Sequence, residues 1–257
     1  MRELKVDPDL CTGDQICVTI APYVFKMNKE DKAYVADPQG ADEETIQHAI
    51  KQCPSQAISW QYLNDKMDSL AMNKLVTILG FAGSLRKNSY NKALLRAAVE
   101  LLPTDAQLEI FDLEGIQPFN QDLEKEPPDK VREFKSKIRE ADAILIVTPE
   151  YNYSIPGVLK NAIDWASRPY GDNAFEGKPV AVMSASIGLL GGARAQYHLR
   201  QSFVFLDMYP INRPEVIVTF AREKIDEDGR LKDETSRKFI KELLENLVTW
   251  TRRLRKK

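Results

Sequence analysis

From Leu75 onward the chain alternates short β-branched apolar runs with longer segments of helical period, and this restricts its fold more than any other feature. Leu75-Val76-Thr77-Ile78-Leu79-Gly80-Phe81 is apolar almost throughout, as a strand covered on both faces of a parallel sheet must be. Residues 108–113, 143–148, 179–185 and 215–220 read as four further strands. Helical stretches lie between and after them, at 91–102, 129–140, 156–168, 192–207 and 234–255. Five strands alternating with helices predict an α/β fold, a doubly wound parallel sheet with helices on both faces. Ligands of such sheets bind beyond the carboxyl ends of the strands, so the loops that leave the strands are the ones to read for chemistry.

The first 60 residues are different. Their apolar stretches are short and broken by Asp, Pro and Gly, and they hold 6 basic against 10 acidic residues. A polar connector spans 61–73, and Met72-Asn73-Lys74 then opens an apolar run as though a second chain began there. The expected organisation is a small module at 1–60, a linker at 61–73 and the α/β domain at 74–257, a fusion of two units. Net charge over the whole chain is −2, so no global field points to nucleic acid or an anionic membrane. No apolar run approaches the roughly 18 residues needed to cross a bilayer, and no secretory leader follows Met1. The cytoplasm is the expected location.

All three cysteines, Cys11, Cys17 and Cys53, fall in the small module, and their odd number argues against a disulfide framework. In Cys11-Thr12-Gly13-Asp14-Gln15-Ile16-Cys17, residues 11, 14 and 17 are spaced three apart, and Cys53-Pro54 follows much later. Such a loop can wrap a small inorganic core while a distant Cys-Pro closes it, which is the need of an iron–sulfur cluster. Two plainer readings remain: inert buried cysteines with Asp14 capping a turn, or a zinc site drawing in His48, for which the spacing is wrong.

Nearly all of residues 1–60 resembles the single-cluster bacterial-type ferredoxins. Their C-x2-C-x2-C-x3-C-P signature is altered twice: Asp14 replaces the second cysteine, and Ala21, before Pro22, replaces the fourth. The fourth serves another cluster in two-cluster proteins, so its loss implies one cluster. The resemblance implies a small α+β ferredoxin-like domain with Cys11, Cys17, Cys53 and Asp14 as ligands. A carboxylate is harder than a thiolate, so the expected group is a [4Fe–4S] cluster that readily loses the iron at Asp14 to become [3Fe–4S].

Three strand-end loops carry the second constellation. After the first α/β strand stand Gly83-Ser84-Leu85-Arg86-Lys87-Asn88-Ser89-Tyr90-Asn91, in which short polar side chains and Arg86 precede a helix start. That suits a phosphate monoester, or simply a polar turn capping a helix. It is neither of the glycine-rich nucleotide motifs. After the third stand Thr148-Pro149-Glu150-Tyr151-Asn152-Tyr153-Ser154-Ile155-Pro156, with aromatic surface for a flat ring system, or for ordinary packing. After the fourth, Ser184 leads to Gly188, Gly191 and Gly192, where backbone can approach a ligand, or merely flex.

Taken in order, these loops, with the Gly191–Gln201 segment GGARAQYHLRQ, resemble the NADPH-dependent FMN reductase family over residues 74–220, and its quinone/chromate-reductase branch more closely. The resemblance implies a flavodoxin-like fold and a dimer or tetramer. It implies that Ser84, Arg86, Ser89 and Asn91 hold the FMN phosphate. It implies that Pro149, Glu150, Tyr151, Asn152, Tyr153 and Ser154 line the ring, with Ser184, Gly188, Gly191 and Gly192 nearby. No side-chain catalytic set is visible, and the only histidines are His48 and His198, which fits catalysis by a cofactor. The function expected is an NAD(P)H-dependent flavin oxidoreductase acting on quinones or free flavin, with the cluster relaying single electrons. The competing expectations are a carrier passing electrons between partner redox proteins, and a reductase whose cluster is fed by an external donor.

Overall fold

A computed structural model describes residues 2–62 and 74–255. The chain divides into two compact units, Met1–Met72 and Asn73–Lys257. Most of the expected linker lies outside the described residues.

In the first unit, β1 (Arg2–Val6) pairs antiparallel with β4 (Ile58–Tyr62), bringing the two ends of the module together. Between them come α1 (Ile16–Ile20), the hairpin of β2 (Phe25–Met27) and β3 (Ala33–Val35), and α2 (Glu43–Gln52). Leu4, Val24, Phe25, Ile46, Ala49 and Ile58 form the core, and Cys11 and Cys17 are buried with them. Local chemistry sets the ends of α2. The Asp42 carboxylate caps it by accepting from the Thr45 N–H at 2.8 Å, with Glu43 and Glu44 in the first turn and Lys51 in the last. Pro54 forces the residue before it into extended backbone, so the helix stops and Cys53 leaves it at φ −70°, ψ 112°.

The second unit is a parallel sheet of β5 (Val76–Ala82), β6 (Ala106–Phe111), β7 (Ala143–Val147), β8 (Pro179–Ala185) and β10 (Val216–Val218), in the order β10-β8-β7-β5-β6. The two-residue β9 (Tyr209–Pro210) pairs with the start of β8. Every residue of β7 and β8 is buried, as a doubly covered sheet requires. Helices α3 (Tyr90–Glu100) and α8 (Glu234–Arg255) supply one of its two hydrophobic clusters. Helices α4 (Asp129–Glu140), α5 (Gly157–Ala166) and α6 (Ala193–Leu206) supply the other. In the latter, Phe134 is fully buried with ring centroids 5.2 Å from Phe81 and 4.9 Å from Phe111. The fold is flavodoxin-like. From β5 the chain goes to β6 on one side and next returns through β7 on the other, so the topological switch point lies between β5 and β7.

The expected elements are present with shifted ends. The edge strand starts at Ala106 rather than 108, since its pairing with β5 begins at Val76↔Ala106. The last strand is only Val216–Val218, because Phe220 turns to φ 50° and α7 (Ala221–Lys224) begins. Strand β9 was hidden by Pro210, a residue that reads as a strand breaker.

At the amino ends of the strands the structure is pinned by charge. The Asp142 carboxylate, just before β7, accepts from the Thr77 N–H at 2.9 Å and the Thr77 hydroxyl at 2.7 Å, and it pairs with Arg255 from the end of α8. Burial pushes this carboxyl up, but the Thr77 hydrogen bonds and Arg255 outweigh it and hold it below the usual carboxylate range. A carboxyl depressed on folding stabilises the native state above the unfolded pKa of about 4, and that stabilisation fades as pH falls through the folded value. Asp142→Asn should therefore cost about 1 kcal/mol at pH 7 in urea denaturation, allowing for solvent screening. The difference from the native chain should close below pH 4.

Candidate functional site

The three cysteines converge on one pocket of the first unit, about 300 Å3 including its mouth, which Asp14 also lines. Cys11 and Asp14 come from the loop after β1, Cys17 from α1, and Cys53 from the exit of α2. Gly13 gives the loop its shape: it sits at φ +79°, and a Cβ there would lie 2.6 Å from the Asp31 carbonyl oxygen. The sulfurs face hydrogen-bond donors. The Ala33 N–H donates to Cys11 Sγ at 3.4 Å. Burial pushes the Cys53 thiol up, yet Ser55 and the backbone groups of Ala57, Ser55 and Ile58 leave it lowered. Burial also pushes Cys17 up, and the neighbouring Cys11 and Cys53 add to that rise against the Val18 backbone group. Among the described residues no group of three or more His, Cys, Asp or Glu side chains is arranged to hold a metal ion. Three thiols and a carboxylate nevertheless line one pocket, and those are donor types that an iron–sulfur core takes. Asp14 is exposed, and its carboxylate accepts from the Thr12 hydroxyl.

In the second unit, the loop after β5 presents a run of backbone donors at the start of α3. Among the described residues, the backbone N–H groups of residues 84–88 have no acceptor within the protein. The Ser84 hydroxyl is in the same position, although the residue is only 4% exposed. Ser89 is the N-cap of α3, accepting from the Asn91 and Lys92 N–H groups at 3.2 and 3.4 Å. Arg86 is exposed and forms no ion pair among the described residues; its guanidinium stands over the Tyr90 ring at 5.3 Å. Asn91 behaves differently from the others. Its amide is buried and doubly engaged: Nδ2 donates to the Ala185 carbonyl at 3.0 Å, and Oδ1 accepts from the Ala185 N–H at 2.9 Å. It ties the start of α3 to the end of β8 and shapes the loop rather than facing out of it.

The loop after β7 is held in an unusual backbone conformation. Tyr151 and Ser154 exchange two backbone hydrogen bonds of 3.0 Å, and Asn152 and Tyr153 between them take φ 50° and 66°. This is the geometry of a two-residue hairpin turn, which needs φ > 0 at both central positions and is costly for residues other than glycine, asparagine or aspartate. The N–H groups of Glu150, Asn152 and Tyr153 have no acceptor among the described residues. Pro149 is buried, whereas Tyr151 and Tyr153 are 52% and 67% exposed. The Glu150 carboxylate explains how the loop persists. It accepts from the Arg194 and Ala195 N–H groups at 3.1 and 3.3 Å at the start of α6, and pairs with the Arg194 guanidinium, which lies 3.5 Å from the Tyr153 ring centroid. This pair holds the Arg194 cation more firmly protonated.

The third loop meets the second at α6. Ser184 is fully buried and accepts from Gln196 Nε2 at 2.8 Å. Gly192 stands at φ +95°, and a Cβ there would come within 2.8 Å of the Ser184 Cβ, so only glycine fits. Gly191 is buried beside it, while Gly188 is exposed and donates to the Ser186 hydroxyl at 3.2 Å. Reading the sequence did not single out Arg194, Gln196 or His198, whose Nδ1 is 3.0 Å from the Ser154 hydroxyl. The visible signal was a charged residue two positions after a glycine pair that opens a helix.

Residues 76–223 match the family model described as NADPH-dependent FMN reductase, and residues 6–60 match the 4Fe-4S single cluster domain of ferredoxin I. The chain is 50% identical over 185 residues to an NAD(P)H-dependent FMN reductase of Pseudomonas aeruginosa, covering 72% of this chain and 100% of that protein. It is 42% identical over 170 residues to a 2-hydroxy-1,4-benzoquinone reductase of a Burkholderia species, covering 66% of this chain and 93% of that one. A solved structure, FerB, a flavoenzyme NAD(P)H:(acceptor) oxidoreductase of Paracoccus denitrificans, is 35% identical with a TM-score of 0.65, over 70% of this chain and 98% of its own.

Asn91→Ala should leave the Ala185 N–H and carbonyl unpaired in the interior and destabilise the second unit by about 2–4 kcal/mol. Urea denaturation followed by tryptophan fluorescence measures it; a loss below about 0.5 kcal/mol would show that the bridge contributes nothing.

Proposed function

The chain belongs to the NADPH-dependent FMN reductase family, and we propose that it is an NAD(P)H-dependent flavin oxidoreductase whose Fe–S cluster relays single electrons to or from FMN. The observation that carries this reading is the switch point between β5 and β7, where both flanking loops present N–H groups with no acceptor among the described residues. When bound, FMN supplies the exchange between two-electron and one-electron transfer that no side chain here can perform.

The residues have separate tasks. Ser84, Arg86 and the N–H groups of 84–88 hold the phosphate, with Ser89 capping α3 behind them and Asn91 fixing the loop's shape. Pro149, Glu150, Tyr151, Asn152, Tyr153 and Ser154 form the wall for the ring. Within that wall, Glu150 acts through Arg194 to keep the strained turn in place, and the N–H groups at 150, 152 and 153 meet the ring's polar edge. Ser184, Gly188, Gly191 and Gly192 let backbone come close on the remaining side. In the first unit Cys11, Cys17 and Cys53 hold the cluster, and Asp14 takes the fourth iron. These residues would hold a [4Fe–4S] cluster, or a [3Fe–4S] cluster with Asp14 unused.

NAD(P)H is the proposed donor, and a quinone or free flavin the proposed acceptor. The assembly is a homodimer or tetramer, a reading supported by Val204 and Phe205 on α6, which are 85% and 71% exposed. Among the described residues no helix is long and apolar enough to cross a membrane. The cytoplasm is the proposed setting, where three free thiols remain reduced.

Anaerobic mixing with NADPH or NADH tests the reading directly. Loss of flavin absorbance followed by bleaching of the cluster is the expected order. If the flavin stays oxidised with both nucleotides but is bleached by a reduced protein donor, the chain is an electron carrier or an externally fed reductase instead. Arg86→Ala should weaken FMN retention by about 1.5–3 kcal/mol, roughly 10- to 150-fold in Kd by fluorescence titration. Asp14→Cys should retain its fourth iron through aerobic gel filtration where the native chain loses it, as judged by iron counts.

A further inference from the structure

The turn that joins β2 to β3 is built around the first cysteine. Asn28 organises it: its side-chain oxygen accepts from the Glu30 and Lys32 N–H groups at 2.9 Å each, and its own N–H donates to the Lys32 carbonyl at 2.9 Å. Asp31 is thereby held at φ 56°. Its carbonyl comes so close to Gly13 that no side chain fits there. The next two residues both reach Cys11. Lys32 Nζ donates to the Cys11 carbonyl, and the Ala33 N–H donates to Cys11 Sγ at 3.4 Å. Lys32 is half-buried and forms no ion pair among the described residues. No carboxylate among the described residues stands within ion-pair distance of its ammonium.

We propose that this turn is an electrostatic clamp on the Cys11 end of the cluster site, with Lys32 as a positioning and potential-setting residue that raises the cluster's reduction potential. The inference rests on the cluster reading above. Reduction adds one negative charge to the inorganic core. A fixed ammonium at the Cys11 backbone favours the reduced form, and the Ala33 N–H does the same at the sulfur; net charge and hydrogen bonds to sulfur are two of the levers that set such potentials. Partial burial strengthens both, because the local dielectric is lower than that of water. Asn28 contributes indirectly, by holding the turn so that both donors point at one residue.

The experiment is a redox titration of the full-length protein under anaerobic conditions, with the cluster monitored by electron paramagnetic resonance. Lys32→Gln should shift the equilibrium three- to tenfold towards the oxidised cluster, a fall in midpoint of up to about 59 mV for a one-electron couple. Lys32→Arg should restore the native value, because it keeps the charge and a donor. Asn28→Ala should lower the potential by less, since it loosens the turn without removing the charge. A fully loaded Lys32→Gln protein with the native midpoint would overturn the proposal. If that variant fails to hold a cluster, an unchanged midpoint in Asn28→Ala overturns it. A native protein lacking iron and sulfide altogether would be a failure of the cluster reading itself, and iron and sulfide counts on the starting material separate the two cases.

Discussion

The second unit depends on the pairing of β5 with β7, two buried strands whose following loops have to part. Residues 78–82 run in parallel register with 143–147, and every one of these ten except Gly80 carries an apolar side chain into the sheet's two faces. Beyond that seam the chain goes to β6 in one direction and enters α5 in the other, so backbone groups are left facing outward with no strand to receive them. In a fully paired interior such groups would be a cost. At the edge of a sheet, facing solvent, they form a polar rim already aimed at whatever occupies the gap. Binding capacity here is a by-product of topology, refined by side chains.

The first unit solves a different problem, since it is too small to bury much apolar surface. Its core is Leu4, Val24, Phe25, Ile46 and Ile58 with a few alanines, and small domains of this size commonly depend on a metal group or similar cross-link for part of their stability. The pocket lined by thiols is therefore also a gap in this small core. The backbone donors around Cys11 and Cys53 show that the protein contributes more than three sulfurs to it.

Much of this was readable from residue order alone. The ends of β8, α4 and α8 follow directly from apolar period bounded by Pro179, Asp129 and Glu234. The cysteine spacing marked residues that line the pocket of the first unit. What could not be read was which polar residues face outward. Ser84 and Asn91 look alike as short polar side chains in one loop, yet the hydroxyl of the first has no partner among the described residues and the side chain of the second is consumed by Ala185, 94 residues away. The Glu150–Arg194 pair was invisible for the same reason: it joins residues 44 apart, and nothing local to either predicts the other. Strand β9 was lost because Pro210 obscures a pairing that only the neighbouring strand dictates.

Asn91 carries a mechanical consequence. By gripping both backbone groups of Ala185, one amide makes the beginning of α3 and the end of β8 a single rigid piece. Those two places adjoin two of the loops proposed to hold FMN: the turn whose N–H groups have no acceptor among the described residues, and the stretch that leads to the glycines. If those loops hold one ligand, a shift at the first turn is passed to the end of the strand behind the second. On the proposed reading, a poor fit at the phosphate turn is felt at the glycine loop through this one side chain.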